Sequence, residues 1–421
     1  MVENGLENDC YVKMLDYTID LFESRGLGTE YYGYHNINHE LEVTYVSILA
    51  IKQKKIQFTA EDMKYLYVAA LFHDFDPQKS MDKPHEKSVL KFISMNKKLL
   101  QLINDANMDL EIIKVLILRT TYPWSGKLKD DAKMQIKQSF NSSDLTRNNL
   151  PYQKHVMEMG WYLSVVDRIS GYALGDFAKA IEMAKMNAHA LAWRPSLIVR
   201  STVAYFEELL NKETDMAKEI LKVLPKEIRK NFFDTVLSFM KIRQQEIIIQ
   251  ANFSYENLKL IPTIESMSTR EDPKFIKTLY EIFLELPSPL QFKKENFEKS
   301  VKDPQVIINT LRLNDKNGEI IGFSKGGLLE NYKLHEKIKD ENYGLGNTIF
   351  LEPLALKIGY WGLKGGSEMR HMFIMQASSM KFKFMTSFAL RDVIRARIDK
   401  EQAEFVTLFD PERWDYYRIK I

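Results

Sequence analysis

Tyr34-His35-Asn36-Ile37-Asn38-His39 and, a helix and a turn later, Ala70-Leu71-Phe72-His73-Asp74 are the segments around which this 421-residue chain is organised. Four of the eight histidines lie between His35 and His85, and three of those four are followed directly by an acidic residue. The run Leu66 to Phe72 is strongly apolar, so His73 and Asp74 are expected to emerge at the end of a buried helix. An imidazole and a carboxylate there are costly to bury unless hydrogen-bonded, paired or bound to a metal.

Composition narrows the field. Lys and Arg number 59 against 57 Asp and Glu, and the net charge of +2 gives no strong field for nucleic acid or an acidic membrane surface. The single cysteine, Cys10, excludes an intramolecular disulfide framework and a cysteine-built zinc site. Glu3, Glu7 and Asp9 open the chain without a basic and apolar leader, so no secretory signal is expected. No window approaches a membrane-length apolar run. These features lead us to expect a soluble, cytoplasmic protein without a membrane partner.

From Asp9 to about Phe253 the pattern is helical. Leu15, Ile19 and Phe22 recur at helical spacing, and a second helix starting near Asn36 carries His39, Val43, Val46 and Leu49. Thr59, three residues ahead of Asp62, has the form of an N-terminal cap. Helices are expected over Glu86–Met95, Leu110–Leu118, Pro195–Leu210, Asp215–Val223 and Lys226–Ala251, with a long one from Pro151 through Tyr172. Over 252–271 the period weakens, and Pro262, Ser266, Ser268 and Pro273 suggest a connection. Beyond it the period becomes that of strands, with a hairpin turn at Asn314–Gly318 between Val306-Ile307-Ile308 and Glu319–Phe323. Further strands are expected over Thr348–Leu356, Phe382–Phe388 and Tyr416–Ile421. Helices are expected after Gly365-Gly366 and over Val393–Ala403. The fold class is therefore multidomain: an all-α domain over 1–262, then an α/β domain with a mixed sheet over 263–421.

His35 and His39 are four residues apart and can share a helix face. His73 and Asp74 point in different directions on a helix, so one ion collects both only where the helix end loosens. Asp167 sits inside the apolar Trp161–Arg168 segment, where an unpaired carboxylate raises its pKa or destabilises the fold. It can pair with Arg168 or project into a pocket shared with His39, His73 and Asp74. Imidazole and carboxylate together suit a divalent zinc, manganese, iron, cobalt or magnesium ion. Such an ion lowers the pKa of a water and neutralises phosphate oxygens. The bland alternative leaves His39 capping or packing and Asp167 in a salt bridge.

Taken together, Tyr34-His35-Asn36-x-x-His39, His73-Asp74 and the distant helical Asp167 resemble the HD phosphohydrolase superfamily. The Tyr-His-Asn-x-x-His form is especially similar to class I cyclic-nucleotide phosphodiesterases. The resemblance covers about residues 9 to 192. It implies that His39, His73, Asp74 and Asp167 ligate metal, that Asp74 can bridge two ions, and that His35 is the general acid. The implied substrate is a small-molecule nucleotide phosphoester, with a 3′,5′-cyclic nucleotide the sharpest version. Lys79, assigned to the catalytic set, joins Lys83 and Arg119 as a phosphate contact, and Tyr32, Tyr122 and Trp124 could stack on a base. No histidine follows in Leu118–Pro123, where many relatives carry one. His85, in Asp82–Ser88, lies in a stretch more like the small bacterial HD hydrolases and could reach a second ion or a phosphate, or sit at the surface.

The order of elements around Ile349–Leu356 and Gly359–Gly366 resembles a GNAT-type N-acetyltransferase over about residues 273 to 421. The resemblance implies an acetyl-coenzyme A site at Leu356, Gly362, Gly365 and Gly366. Laid on the family's pyrophosphate signature, Trp361 falls at the Arg or Gln, Lys364 at the first Gly, and Gly366 at the last position, so two of three key positions depart. Acyl transfer by this domain is one alternative to hydrolysis. A regulatory protein that binds ligand without turnover is another, and the second domain could instead join two copies of the chain as a homodimer.

Overall fold

The computed structural model describes residues 6, 8–25, 34–51, 58–75, 86–190, 194–286, 290–334, 338–390, 398, 404–408 and 414–421. The chain divides into two compact units, Met1–Met240 and Lys241–Ile421.

The first unit is helical: α1 Asp9–Ser24, α2 Ile37–Ile51, α3 Ala60–Phe72, α4 Glu86–Met95, α5 Lys97–Asp105, α6 Leu110–Arg119, α7 Gly126–Ser142, α8 Leu150–Ala173, α9 Phe177–Ala190, α10 Ile198–Lys212 and α11 Thr214–Val223. The division between the units falls inside α12, Lys226–Tyr255. Helix α3 packs against α2, α6 and α8. Every residue from Tyr65 to Phe72 is buried, because a helix enclosed on all sides must be apolar all round. Its start is fixed by a reciprocal cap: Asp62 N–H donates to Thr59 Oγ1 and Thr59 N–H donates to Asp62 Oδ2. Pro195 to Leu197 form a separate 3₁₀ turn ahead of α10, so the helix expected from Pro195 begins three residues later.

The second unit contributes β1 Leu260–Ile264, α13 Met267–Arg270, α14 Pro273–Phe283, α15 Lys294–Lys302, β2 Ile307–Leu313, β3 Ile320–Leu328, β4 Thr348–Leu351, β5 Ala355–Leu356, α16 Gly365–Ser379, β6 Phe384–Leu390, β7 Glu404–Leu408 and β8 Trp414–Lys420. The sheet order is β1-β2-β3-β4-β6-β8-β7, with β5 also paired to β3. Pairing is antiparallel except between β4 and β6, which run parallel. Phe373 and Ala377 of α16 pack with Ile307, Ile349 and Leu351. A second cluster joins α14 and α15 to Ile308, Ile320 and Phe323.

Three readings change here. The stretch 252–271 contains edge strand β1, where Pro262 is tolerated because an edge residue need not donate on its open side. The strand expected over Thr348–Leu356 is two strands, because Glu352-Pro353-Leu354 interrupts the ladder and β5 turns back onto β3. Strand β7 carries no alternation that reveals it. The helix expected over Val393–Ala403 lies, apart from Ile398, outside the described residues, as do Tyr32, Lys79, Lys83 and His85. Among the described residues no helix is long and apolar enough to cross a membrane.

The sheet buries a charge pair. Lys325 on β3 is 1% exposed, and its ammonium donates to Glu352 and, at 2.7 Å, to Ser300 Oγ. Tyr332 donates to the same Glu352 oxygen at 2.8 Å. Burial pushes the Lys325 pKa down while Glu352 opposes that shift. Removing one member strands the other charge, so Glu352→Ala is expected to cost about 3–5 kcal/mol, far more than Lys325→Met with Glu352→Leu together. Hydrogen exchange at β3 and β4 amides in the full chain reads the difference; equal protection in wild type and Glu352→Ala would refute it.

Candidate metal centre

Each residue of the centre is placed by a helix end or a helix interior. Asn36 Oδ1 accepts the His39 backbone N–H at 3.1 Å, capping α2 so that His39 stands in its first turn and His35 just outside it. Helix α3 stops at Phe72, and His73 is its C-cap at φ −67° and ψ −34°. Asp74 follows in a bend. His73 keeps helical dihedrals, and Asp74 beyond it reaches the same point from the bend that ends the helix. Asp167 comes from the middle of α8, and its neighbour Arg168 turns elsewhere, donating to Ser164 O at 3.1 Å and pairing with Glu213 at 3.1 Å.

His39 Nε2 lies 3.2 Å from Asp167 Oδ1 and 3.4 Å from Asp74 Oδ2. His73 Nε2 lies 3.4 Å from Asp74 Oδ2 and 3.6 Å from Asp167 Oδ1. Ligand-type atoms of all four residues fall within 4.8 Å of one another. Ligand atoms about 2.1 Å from an ion sit about 3.0 Å apart along octahedral edges and about 3.4 Å along tetrahedral edges. The observed separations have that scale. Both ring nitrogens of His39, and Nε2 of His73, are buried without a hydrogen-bond partner among the described residues. Imidazole nitrogens and carboxylate oxygens gathered at these separations fit a cation at the centre.

His35 Nε2 lies 3.6 Å from Asp74 Oδ2. The Tyr34 ring packs on His39 with centroids 4.5 Å apart and edge-on to His35 at 4.9 Å. Glu40 is a residue the motif reading did not assign. It is 0% exposed, and its Oε2 lies 2.8 Å from His73 Nδ1. The Ala70 carbonyl lies 2.9 Å from the same nitrogen. The Ala70 carbonyl accepts at Nδ1, which places the proton there and leaves the Nε2 lone pair for the centre, and a carboxylate beside the ring, here Glu40, raises ligand basicity. The doublet His39-Glu40 was the available signal, but sequence alone does not say that Glu40 turns to the histidine of another helix.

The electrostatics follow from placing these charges together, the imidazoles buried and the Asp74 and Asp167 side chains 23% and 18% exposed. Burial works against a charged His39, but the Asp167 and Asp74 carboxylates outweigh it and push its pKa up to about 10. His73 is likewise raised, burial opposing and Glu40 and Asp74 prevailing. Asp74 and Asp167 are held well below the usual carboxylate range, burial being overcome by the imidazoles. Burial raises Glu40. With neutral imidazoles the three carboxylates leave an excess of negative charge that a divalent ion offsets.

In the second unit Leu356 lies on β5, and its carbonyl accepts the Trp361 indole N–H at 2.7 Å. Gly362 has φ +88°, and Lys364, at φ +65°, precedes α16. Gly365 and Gly366 open that helix. A Cβ at Gly365 would come 2.3 Å from Leu311 Cδ2, whereas one at Gly366 would meet only Leu354 at 3.9 Å. Close packing on β2 therefore explains the first glycine without a ligand.

No family model matches the chain, and no curated protein matches it. Similar solved structures include an "IAA acetyltransferase" from Bacillus cereus, at 9% identity, 39% of this chain, 100% of that chain and a TM-score of 0.25. The ribosomal-protein-S18-alanine N-acetyltransferase from Escherichia coli gives 12% identity, 38% and 94% coverage and 0.28. An acetyltransferase from Thermus thermophilus gives 12%, 39%, 97% and 0.27. Likeness at these TM-scores decides neither chemistry nor fold, so the second unit is read from its own topology.

The raised His39 pKa sets a sign. Protonated His39 stabilises the metal-free fold fully below its ordinary value near 6.5, and that contribution is lost as pH rises through about 10. Metal-free protein is therefore expected to lose thermal stability from pH 7 to 10, while stabilisation by added manganese or zinc grows over the same range as protons cease to compete. Thermal unfolding at several pH values, with and without the ion, checks both; an ion response independent of pH would refute the assignment.

Proposed function

We propose that the first unit is a metal-dependent phosphohydrolase of the HD type, acting on a nucleotide phosphoester. The observation that carries this reading is the convergence of His39, His73, Asp74 and Asp167, drawn from three helices, with ligand atoms within 4.8 Å of one another. These four residues would hold a divalent ion, which supplies charge neutralisation for phosphate oxygens and activates water.

The chain's own groups divide the remaining work. Glu40 holds the Nδ1 proton of His73 and fixes its ring. His35, beside Asp74 but outside the four, is placed to hold a proton on Nε2 and deliver it to the departing oxygen. Tyr34 packs on His35 and His39, limiting their rotation and excluding water from one side. The cyclic nucleotide remains the sharpest substrate version, and it rests on the resemblance carried by Tyr34-His35-Asn36.

A second reading, acyl transfer from acetyl-coenzyme A by the second unit, is supported by one feature: β4 and β6 are its parallel pair, and the crossover between them carries α16 behind Gly365-Gly366. The Leu311 contact of Gly365 and the Trp361 bond to Leu356 weigh against a cofactor cradle there. Isothermal titration with acetyl-coenzyme A separates the two readings, since heat is expected only if the second one holds.

Protein purified without chelator is expected to carry a transition ion and to hydrolyse at least one member of a panel of cyclic, mono- and triphosphate nucleotides with manganese or magnesium. Asp74→Ala should lose the ion and turnover together. His35→Ala should keep the ion and lose about 10²–10⁴-fold in kcat, the range for a lost general acid. Metal-free protein, or turnover unchanged in Asp74→Ala, would remove the hydrolase reading.

A further inference from the structure

Helix α6 ends on Arg119, a cation that the sequence offers as a phosphate contact and to which the proposed hydrolysis gives no step. Arg119 is 7% exposed, and its Nη1 is buried with no hydrogen-bond partner among the described residues. Its guanidinium lies 4.1 Å from the centroid of the Trp124 ring, and Trp124 belongs to the turn Tyr122–Gly126. The stem crosses α8 at Gly160, where a Cβ would come 2.6 Å from Arg119 Cβ. The absence of a side chain at that point is what lets the arginine lie there.

Arg119 also lacks a free counter-charge. Burial lowers its pKa to about 10, with Glu213 opposing the shift and Arg168 adding to it. Both oxygens of Glu213 are engaged: Oε1 pairs with Arg168 Nη2 at 3.1 Å, and Oε2 accepts the Trp161 indole N–H at 2.5 Å. Glu208 accepts from Tyr122 at 2.9 Å and pairs with Lys212 at 3.2 Å. Glu213 is thus the carboxylate that both guanidiniums draw on, and each of its oxygens already has a partner. A buried donor left in this state calls for an occupant such as an ion, and a planar guanidinium fork is suited to oxyanions.

We propose that Arg119, backed by Arg168 and walled by Trp124, forms a binding site for the oxyanion group of a small molecule, a phosphate or a carboxylate, separate from the metal centre. Asp167 turns from α8 toward the imidazoles, whereas Gly160 of the same helix meets the Arg119 stem and Arg168 is held by Glu213. The assignment stands on these contacts alone and does not depend on hydrolysis.

The test uses the full chain treated with chelator, titrated with inorganic phosphate, sodium acetate or chloride at fixed ionic strength. Thermal unfolding and tryptophan fluorescence are read together. A saturable rise in Tm with phosphate or acetate, absent with chloride, is expected from binding to the folded state. The oxyanion with the lower midpoint identifies the source. Arg119→Met should raise Tm in the absence of ligand, because an uncompensated charge is gone, and move the midpoint at least tenfold higher. Asp74→Ala should leave the midpoint unchanged. Arg119→Lys, which keeps the charge and loses the fork, should weaken binding at least threefold and decides the matter if the methionine variant does not fold. No saturable response in wild type would overturn the proposal. So would a response that survives both arginine variants, or one lost in Asp74→Ala, which belongs to the metal centre.

Discussion

Three carboxylates and two imidazoles enclosed between α2, α3 and α8 form the constraint on which the first unit depends. Taken separately, each group is expensive to remove from water. Together they neutralise one another in part, which is why the histidines are driven toward the charged form and Asp74 and Asp167 away from protonation. A fold that assembles such a set in an otherwise apolar bundle spends helix packing to hold it. The apolar circumference of α3 and the Tyr162 hydroxyl, which donates to Ser47 O at 2.6 Å, fasten α2, α3 and α8 around it.

The centre is built at places where regular helix gives way. Asn36 ends the chain's approach to α2 and begins the helix in one contact, so His35 and His39 face the same region from opposite sides of a cap. At the other end, termination of α3 at Phe72 frees His73 and Asp74 to converge. A continuous helix would separate their side chains by about 100°. Only Asp167 comes from a helix interior, and it reaches the point because Arg168 has its own partner in Glu213.

The second unit follows a different rule. Its mixed sheet tolerates Lys325 in the interior because Glu352 leaves the β4 ladder at the point where the pair can form. The same interruption sends Ala355 and Leu356 back onto β3 and brings Trp361 over the Leu356 carbonyl. Packing between α16 and β2 then requires the glycine at 365. These are connected consequences of one break in a strand, and each is a structural use of residues that a cofactor reading would also claim.

Much of this was legible before folding. The Thr59 cap, the helices over Glu86–Met95 and Lys226 onward, the turn at Asn314–Gly318 and the identity of the histidines and aspartates are properties of a few neighbouring residues, so local periodicity and capping chemistry determined them. Tertiary structure alone decided that Asp167 turns to His39 rather than to Arg168, that Glu40 serves the histidine of another helix, and that Thr348–Leu356 splits in two. It also decided that Arg119 is buried across Gly160 with a carboxylate, Glu213, that Arg168 already engages. The reason is physical: the direction a side chain takes, and whether its charge is met, depend on partners brought near by packing, and those lie dozens of residues away along the chain.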